Sequence, residues 1–130
     1  MSPLVRGNLV IVSAGGSAGR ALVAYDRNTG TVSWAHGSAG LAYSSPALLN
    51  VAGREQIVML NRASVAGHDP ESGSLLWEHE FPREQPNVAQ PLSVSENRLL
   101  FSAGYGIGSK LFEISVDGDG ALRAKQVWST

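Results

Sequence analysis

The stretch that decides the fold runs from Ala24 to Trp34 and reads AYDRNTGTVSW. It returns from Gly67 to Trp77 as GHDPESGSLLW. Both copies follow the spacing Asp-x-x-(Thr/Ser)-Gly-x-x-x-Trp, and the aspartates, glycines and tryptophans of the two copies are each 43 residues apart. One spacing shared by three residue types indicates an internal repeat, in which each copy is one supersecondary unit.

The motif predicts a tight turn between two strands. The carboxylate of the aspartate accepts hydrogen bonds from the backbone N–H groups just ahead of it. The glycine supplies the positive φ that closes a hairpin with a bulge. The tryptophan then lies on the last strand, where a buried indole stabilises the fold through its large apolar area. These are structural roles, and we assign them to Asp26, Gly30, Trp34, Asp69, Gly73 and Trp77.

Short apolar runs around the motif predict four strands per repeat, the first led by a proline and the fourth ending on the tryptophan. Leu9–Val12 and Ile57–Leu60 are continuously apolar, which indicates burial on both faces of a sheet. In an antiparallel fold, sheets stacked as the blades of a propeller provide that burial. We predict an all-β β-propeller segment, a single domain over residues 1–130, with three four-stranded antiparallel blades at about 2–35, 45–78 and 90–129.

The third repeat departs from the other two. Trp128 follows Trp77 by 51 residues, and the extra length falls at Asp117–Gly120. Ser115 is assigned to the position of Asp26 and Asp69, while Trp128 keeps the closing role. Asp117 and Asp119 suggest calcium ligands, but calcium takes about six to eight oxygens. No further acidic residue lies close in sequence, so a solvated hairpin loop is favoured.

The two full motifs resemble the tryptophan-docking motif of quinoprotein (PQQ-type) and BamB-like propellers, and the resemblance covers nearly the whole chain. It implies a non-catalytic scaffold or protein-binding module, periplasmic or extracytoplasmic, that is part of a larger propeller. The alternative is a fragment of a PQQ-dependent quinoprotein dehydrogenase whose active site lies outside this chain. Those enzymes use an adjacent cysteine pair, an Asp base and calcium ligands around the quinone.

This chain has no cysteine, and no position matches the base or the ligands. We therefore expect no catalytic residue and no cofactor, with PQQ and calcium expected only under the dehydrogenase alternative. The three histidines, His36, His68 and His79, have no metal-ligand spacing, so we expect no metal site.

Composition argues against a nucleic-acid-binding protein and against a membrane-spanning one. The net charge is −1, from ten basic and eleven acidic residues, and no basic block offers a footprint for nucleic acid. The apolar runs are too short to span a bilayer. No charged segment followed by an apolar one opens the sequence, so no signal peptide is expected in it.

Two glycine-rich loops suggest chemistry that their context does not support. Gly15–Gly19 fits the G-x-S-x-G pattern of a nucleophile elbow, which needs a following helix, and here a strand follows. Gly104–Lys110 suggests a phosphate loop but likewise precedes a strand. Both segments lie between the second and third strands of a repeat, and that position explains them.

One end of the predicted blades carries these loops and the links between blades, and loops on a rigid scaffold are where binding resides. Aromatic and arginine side chains dominate protein hot spots. The candidate binding face therefore comprises Tyr43, Arg62, Phe81, Arg83 and Tyr105, with ordinary surface loops as the alternative. Propellers usually have about four to eight blades. Three leave bare outer faces, so we expect further blades or self-association to complete the ring.

Overall fold

A computed structural model describes residues 1–15, 19–82 and 87–130. These residues form twelve strands and no helix, arranged as three antiparallel sheets of four consecutive strands. Blade 1 contains β1 (Leu4–Arg6), β2 (Leu9–Ser13), β3 (Leu22–Asp26) and β4 (Val32–His36); blade 2 contains β5 (Ala47–Val51), β6 (Arg54–Leu60), β7 (Ser64–His68) and β8 (Leu75–Glu80); blade 3 contains β9 (Leu92–Ser95), β10 (Arg98–Ala103), β11 (Gly108–Val116) and β12 (Leu122–Ser129).

The predicted fold class is confirmed: the chain is all-β, with three four-stranded antiparallel blades in a ring that is not closed. The fourth strand of each blade runs past its tryptophan, to His36, Glu80 and Ser129. The reason is that pairing with the third strand continues beyond the indole, as in the pair Leu22–His36.

Two apolar clusters join the blades. Between blades 1 and 2, Ile11 and Leu22 pack with Ile57 and Met59. Between blades 2 and 3 lies a larger cluster, in which Phe101 and the residues around it are fully buried. Its buried members are Val51, Val58, Leu60, Val65, Trp77, Phe81, Leu99, Phe101, Phe112, Ile114 and Leu122. Because alternate residues of β6 enter the two clusters, this strand is buried on both faces, as its continuous apolar run predicts.

The third and fourth strands of every blade share one irregularity. Their register shifts between Ala24 and Tyr25, between Gly67 and His68, and between Leu111 and Phe112. A bulge places an extra residue in one strand and sharpens its twist. Its recurrence beside the tryptophan pairing shows that the third repeat keeps the geometry of the other two.

The assignment of Ser115 in the third repeat is wrong. Ser115 lies inside β11 and pairs with Arg123. The turn is instead opened by Asp117, whose backbone N–H donates to Ala121 O at 2.8 Å, and Gly120 N–H donates back to Asp117 O at 3.0 Å. The β11–β12 hairpin is longer than its counterparts, so the aspartate that opens the turn stands further along the chain.

Candidate binding face

The two ends of the blades differ in construction. The hairpin turns β1–β2 and β3–β4 meet at one end, where Asn8 Nδ2 donates to Asp26 Oδ2 at 2.5 Å. Asp26 Oδ1 accepts from the backbone N–H groups of Asn28 (2.8 Å) and Thr29 (2.9 Å). These bonds to Thr29 and Asn28 lower the pKa of Asp26. A carboxylate held by its own turn in this way is a structural group.

Asp69 repeats this arrangement in blade 2. Its Oδ1 accepts from the N–H groups of Glu71 (2.8 Å) and Ser72 (3.2 Å), and Arg54 Nη2 lies 2.5 Å from its Oδ2. Partial burial opposes ionisation of the Asp69 carboxyl, but the Glu71 N–H and the Arg54 guanidinium outweigh it and lower the pKa. Gly30 and Gly73 follow with φ of 72° and 75°.

The three tryptophans have different surroundings. Trp34 of blade 1 lies against Gly73 of blade 2, where an added Cβ would stand 2.5 Å from Trp34 Cζ3. Trp77 is buried, and its Nε1–H donates to Gln56 Oε1 at 2.7 Å. Trp128 is 42% exposed at the outer face of blade 3.

At the other end of the blades, three connections are bonded together. Tyr43 N–H, in the link from blade 1 to blade 2, donates to Asn87 O at 2.9 Å. Asn87 belongs to the link from blade 2 to blade 3, and its Nδ2 donates to Asn61 O at 2.8 Å. Arg62 N–H donates to Gly40 O at 3.4 Å, closing the set. We call Gly40, Tyr43, Asn61, Arg62 and Asn87 the loop junction.

The loop junction brings two of the predicted binding residues together. Tyr43 is 60% exposed, and Arg62 is exposed with its stem against Gly40. Because backbone bonds fix the loops beneath them, these two side chains project from a rigid base. A partner surface of this kind loses little loop freedom on binding.

The remaining predicted residues are placed differently. Phe81 is only 4% exposed, and its ring lies 6.4 Å from that of Phe101, so it belongs to the core between blades 2 and 3. Tyr105, in the β10–β11 loop, is 81% exposed and has φ of 57°. Gly106 follows with φ of 85°, and Ile107 N–H donates to Gly104 O at 3.2 Å, so Tyr105 is a central residue of the tight turn that joins β10 and β11, and turns of this type require a positive φ at both central positions. Arg83 lies outside the described residues, as does Ser17 of the G-x-S-x-G pattern.

A cavity of about 280 Å³ opens between blades 1 and 2. Leu22, Met59 and Ala66 line its apolar wall, and His68 and Glu78 supply polar groups. This volume falls just below the range of drug-sized ligand pockets, roughly 300–1,000 Å³. The cavity is large enough only for a small molecule.

His68 is one of two buried polar residues that line this cavity, the other being Asn61. Its Nδ1 lies 3.0 Å from Gly73 O, and because a carbonyl only accepts, Nδ1 carries the proton. Burial lowers the pKa of His68, although the bond to Gly73 opposes the shift, and His36 lowers the pKa further. The ring is therefore neutral at pH 7, with Nε2 as an acceptor.

Metal-binding side chains do not cluster in the described ranges. No three His, Asp or Glu side chains there come together as a metal would require. Asp117 accepts from Arg123, and Asp119 Oδ1 accepts from Ala121 N–H at 3.1 Å, so both carboxylates serve their own hairpin.

Sequence reasoning missed two organising residues. Asn87, 1% exposed, bonds the loop junction together, and Gln56, fully buried, holds the Trp77 indole. Gln56 interrupts the apolar run of β6, and a polar residue in a strand buried on both faces signals an internal hydrogen bond. Asn87 gave no comparable signal, because an asparagine in a polar link looks like any surface loop residue.

The stacked four-stranded blades, with an indole seated on the next blade's turn, define a propeller-type protein. When the chain is compared with known protein families, residues 1–129 match the family described as outer membrane protein assembly factor BamB. The chain belongs to this family, so the PQQ-type and BamB-like resemblance of its motifs is confirmed. A search of curated proteins gave no match. In the described part of the chain, no helix has the length and apolarity to cross a membrane.

Proposed function

We propose that this chain is a non-catalytic section of a propeller scaffold that binds protein partners outside the cytoplasm during outer membrane protein assembly. The family description supports the process and the compartment. The observation that carries the proposal is the loop junction, where the Asn87 backbone bonds Tyr43 and the Asn87 side chain bonds the loop that carries Arg62.

The proposed partner is a protein, because the loop junction offers the exposed phenol of Tyr43 and the exposed guanidinium of Arg62. Aromatic and arginine side chains on a rigid base are the usual anchors of protein interfaces. Tyr105 is 81% exposed on the β10–β11 loop of blade 3, which corresponds to the β6–β7 loop that carries Arg62 in blade 2. It extends the proposed surface to the third blade.

Site-specific photo-crosslinking tests this role in the native host. A photoreactive phenylalanine replaces Tyr43 or Tyr105 on the loop end, or Thr29 on the opposite end as the control. We expect the two loop positions to give the same covalent partner, a component of the outer membrane assembly machinery identified by mass spectrometry. Equal adducts from Thr29, or adducts only with unrelated proteins, would contradict the proposal.

The same proposal expects no quinone chemistry. Purified protein mixed with PQQ and calcium should give the absorbance of free PQQ and no saturable heat of binding. Saturable binding with an altered quinone spectrum would favour the dehydrogenase alternative.

A further inference from the structure

The cavity between blades 1 and 2 has one wall that is a regular face of blade 2. Met59, Ala66 and Glu78 are directly opposite one another across β6, β7 and β8, so their side chains share that face. His68 and Leu75 form the next row, because they pair with each other two residues further along β7. All five residues line the cavity, and the small Ala66 lies between the longer side chains of its row.

The equivalent place in the next joint, between blades 2 and 3, is occupied by two rings. His36 and His79 are equivalent, since they are 43 residues apart, and His68 and Phe112 are equivalent, since each directly follows the register shift of its third strand. The rings of His79 and Phe112 are in edge contact, with centroids 4.9 Å apart. Between blades 1 and 2, by contrast, His36 and His68 both line open space. The cavity is therefore a property of this joint and is not imposed by the repeat.

Two groups in the cavity wall are free to accept a hydrogen bond. His68 is 6% exposed, and its Nδ1–H donates to Gly73 O, which leaves Nε2 as an acceptor with no partner among the described residues. Glu78 Oε1 accepts from Ser64 Oγ at 2.6 Å, while Oε2 has no partner in the same part of the chain. Burial lowers the pKa of His68 and the Glu78 carboxylate opposes that shift, so the two groups lie within electrostatic reach of each other. None of the described residues that line the cavity is Lys or Arg.

We propose that this cavity binds a small primary amine with an apolar tail. The ammonium group donates to His68 Nε2 and is balanced by the Glu78 carboxylate. The tail packs on the apolar wall of Leu22, Met59 and Ala66. An ammonium group has three donors and no acceptor, which suits a site whose free polar groups accept. This inference adds a small-molecule site and does not rest on the protein partner proposed for the loop junction.

Met59 provides a direct probe of the cavity. The chain has two methionines, Met59 in the cavity wall and Met1, which is 58% exposed. Hexylamine supplies the proposed chemistry, because its amine is protonated at pH 7 as that of a lysine side chain is. In NMR spectra of protein labelled at the methionine methyl groups, hexylamine should shift the Met59 signal saturably and leave the Met1 signal unchanged. Met59→Leu, which keeps the wall apolar, identifies the signal.

Three further compounds separate the head group of the ligand from its tail. Hexanol keeps the tail without the charge, hexanoate reverses the charge, and methylamine lacks the tail. We expect hexylamine to bind about tenfold more tightly than hexanol, because a charge-assisted hydrogen bond is stronger than a neutral one. Hexanoate and methylamine should give no saturable shift. The nitrogen signal of His68 Nε2 should move when hexylamine binds, since this atom accepts the new hydrogen bond.

Glu78→Gln tests the charge at the cavity. The amide oxygen can still accept from Ser64, so we expect an unchanged circular dichroism spectrum, an about tenfold loss of affinity for hexylamine and an unchanged affinity for hexanol. The matched control is Glu96→Gln, at an exposed position in the β9–β10 turn of blade 3, which should have no effect. A Met59 signal that does not move, hexanoate binding as tight as that of hexylamine, an unchanged Nε2 signal of His68 in the bound protein, or equal weakening by both variants would overturn the proposal.

Discussion

The indole of Trp34 occupies the place where Gly73, in the turn of the next blade, would carry its Cβ, since an added Cβ would lie 2.5 Å from Trp34 Cζ3. Gly73 is thus required twice, once by its φ of 75° and once by the indole above it. The two requirements can be separated, because Gly53 has the same backbone conformation with open space around it.

Gly53→Ala should lower the free energy of unfolding by about 1–2 kcal/mol, the cost of a left-handed backbone with a Cβ. Gly73→Ala should lower it by a further ~1–3 kcal/mol, because the indole must move. Urea denaturation followed by circular dichroism measures both. Equal losses for the two variants would mean that the indole adjusts freely and that the contact with Gly73 contributes nothing.

Trp77 and Trp34 hold equivalent strand positions but differ at the indole nitrogen. Trp77 Nε1–H donates to Gln56 Oε1 at 2.7 Å, whereas the buried Trp34 Nε1 has no partner among the described residues. Trp77→Phe leaves a buried amide oxygen unsatisfied, which costs roughly 1–3 kcal/mol. Trp34→Phe leaves no such group. We therefore expect Trp77→Phe to lose more unfolding free energy than Trp34→Phe by about that amount, and similar losses would contradict this account of Gln56.

The fold could be predicted from the sequence because its turns are encoded locally. Asp26, Gly30 and Trp34 act within a few residues of one another, so their spacing alone indicates a hairpin and its closing strand. The prediction for the third repeat was wrong because its local sequence is ambiguous. Successive Asp-Gly pairs at Asp117–Gly120 offered several places for the turn, and only the strand pairing of Ser115 shows which one is used.

The candidate site was less predictable because it depends on contacts between distant segments. Phe81 lies in a polar link and looked like a surface anchor, yet it is buried against blade 3. Asn87 looked like a solvated residue, yet its amide joins the link to the β6–β7 loop. Both residues are buried because the link between blades 2 and 3 packs against other segments of the fold. No pattern in the sequence near Phe81 or Asn87 predicts those contacts.

His68 should make the stability of the chain depend on pH. Burial lowers its pKa in the folded state, so below the ordinary value of about 6.5 the unfolded chain binds the proton more readily. Stability contributed by His68 is therefore complete above pH 6.5 and is lost as the pH falls through the folded-state pKa.

The loss can reach about 1.4 kcal/mol per pH unit for one group. His68→Gln should remove this part of the slope while keeping a hydrogen-bonding side chain near Gly73. Urea midpoints measured between pH 8 and pH 5 check the difference between the two proteins. Parallel pH profiles would mean that His68 takes up its proton in the folded chain as easily as in the unfolded one.

Replacing Tyr105 should raise the free energy of unfolding and weaken partner binding. Its φ of 57° places an aromatic residue in the left-handed region, which costs an L-residue about 1–2 kcal/mol. Glycine relieves this strain but gains freedom in the unfolded chain worth roughly 0.5–1 kcal/mol. Tyr105→Gly is therefore expected to raise the free energy of unfolding by a few tenths to about 1 kcal/mol.

Ala52 provides the comparison, because its φ is 52° and it lies in the β5–β6 turn at the end opposite the loop junction. Ala52→Gly should have a smaller effect on stability, since the Ala52 methyl also packs against the core. Only Tyr105→Gly should reduce the yield of the crosslink formed from position 43. A yield unchanged by Tyr105→Gly, or lowered equally by Ala52→Gly, would remove Tyr105 from the binding surface.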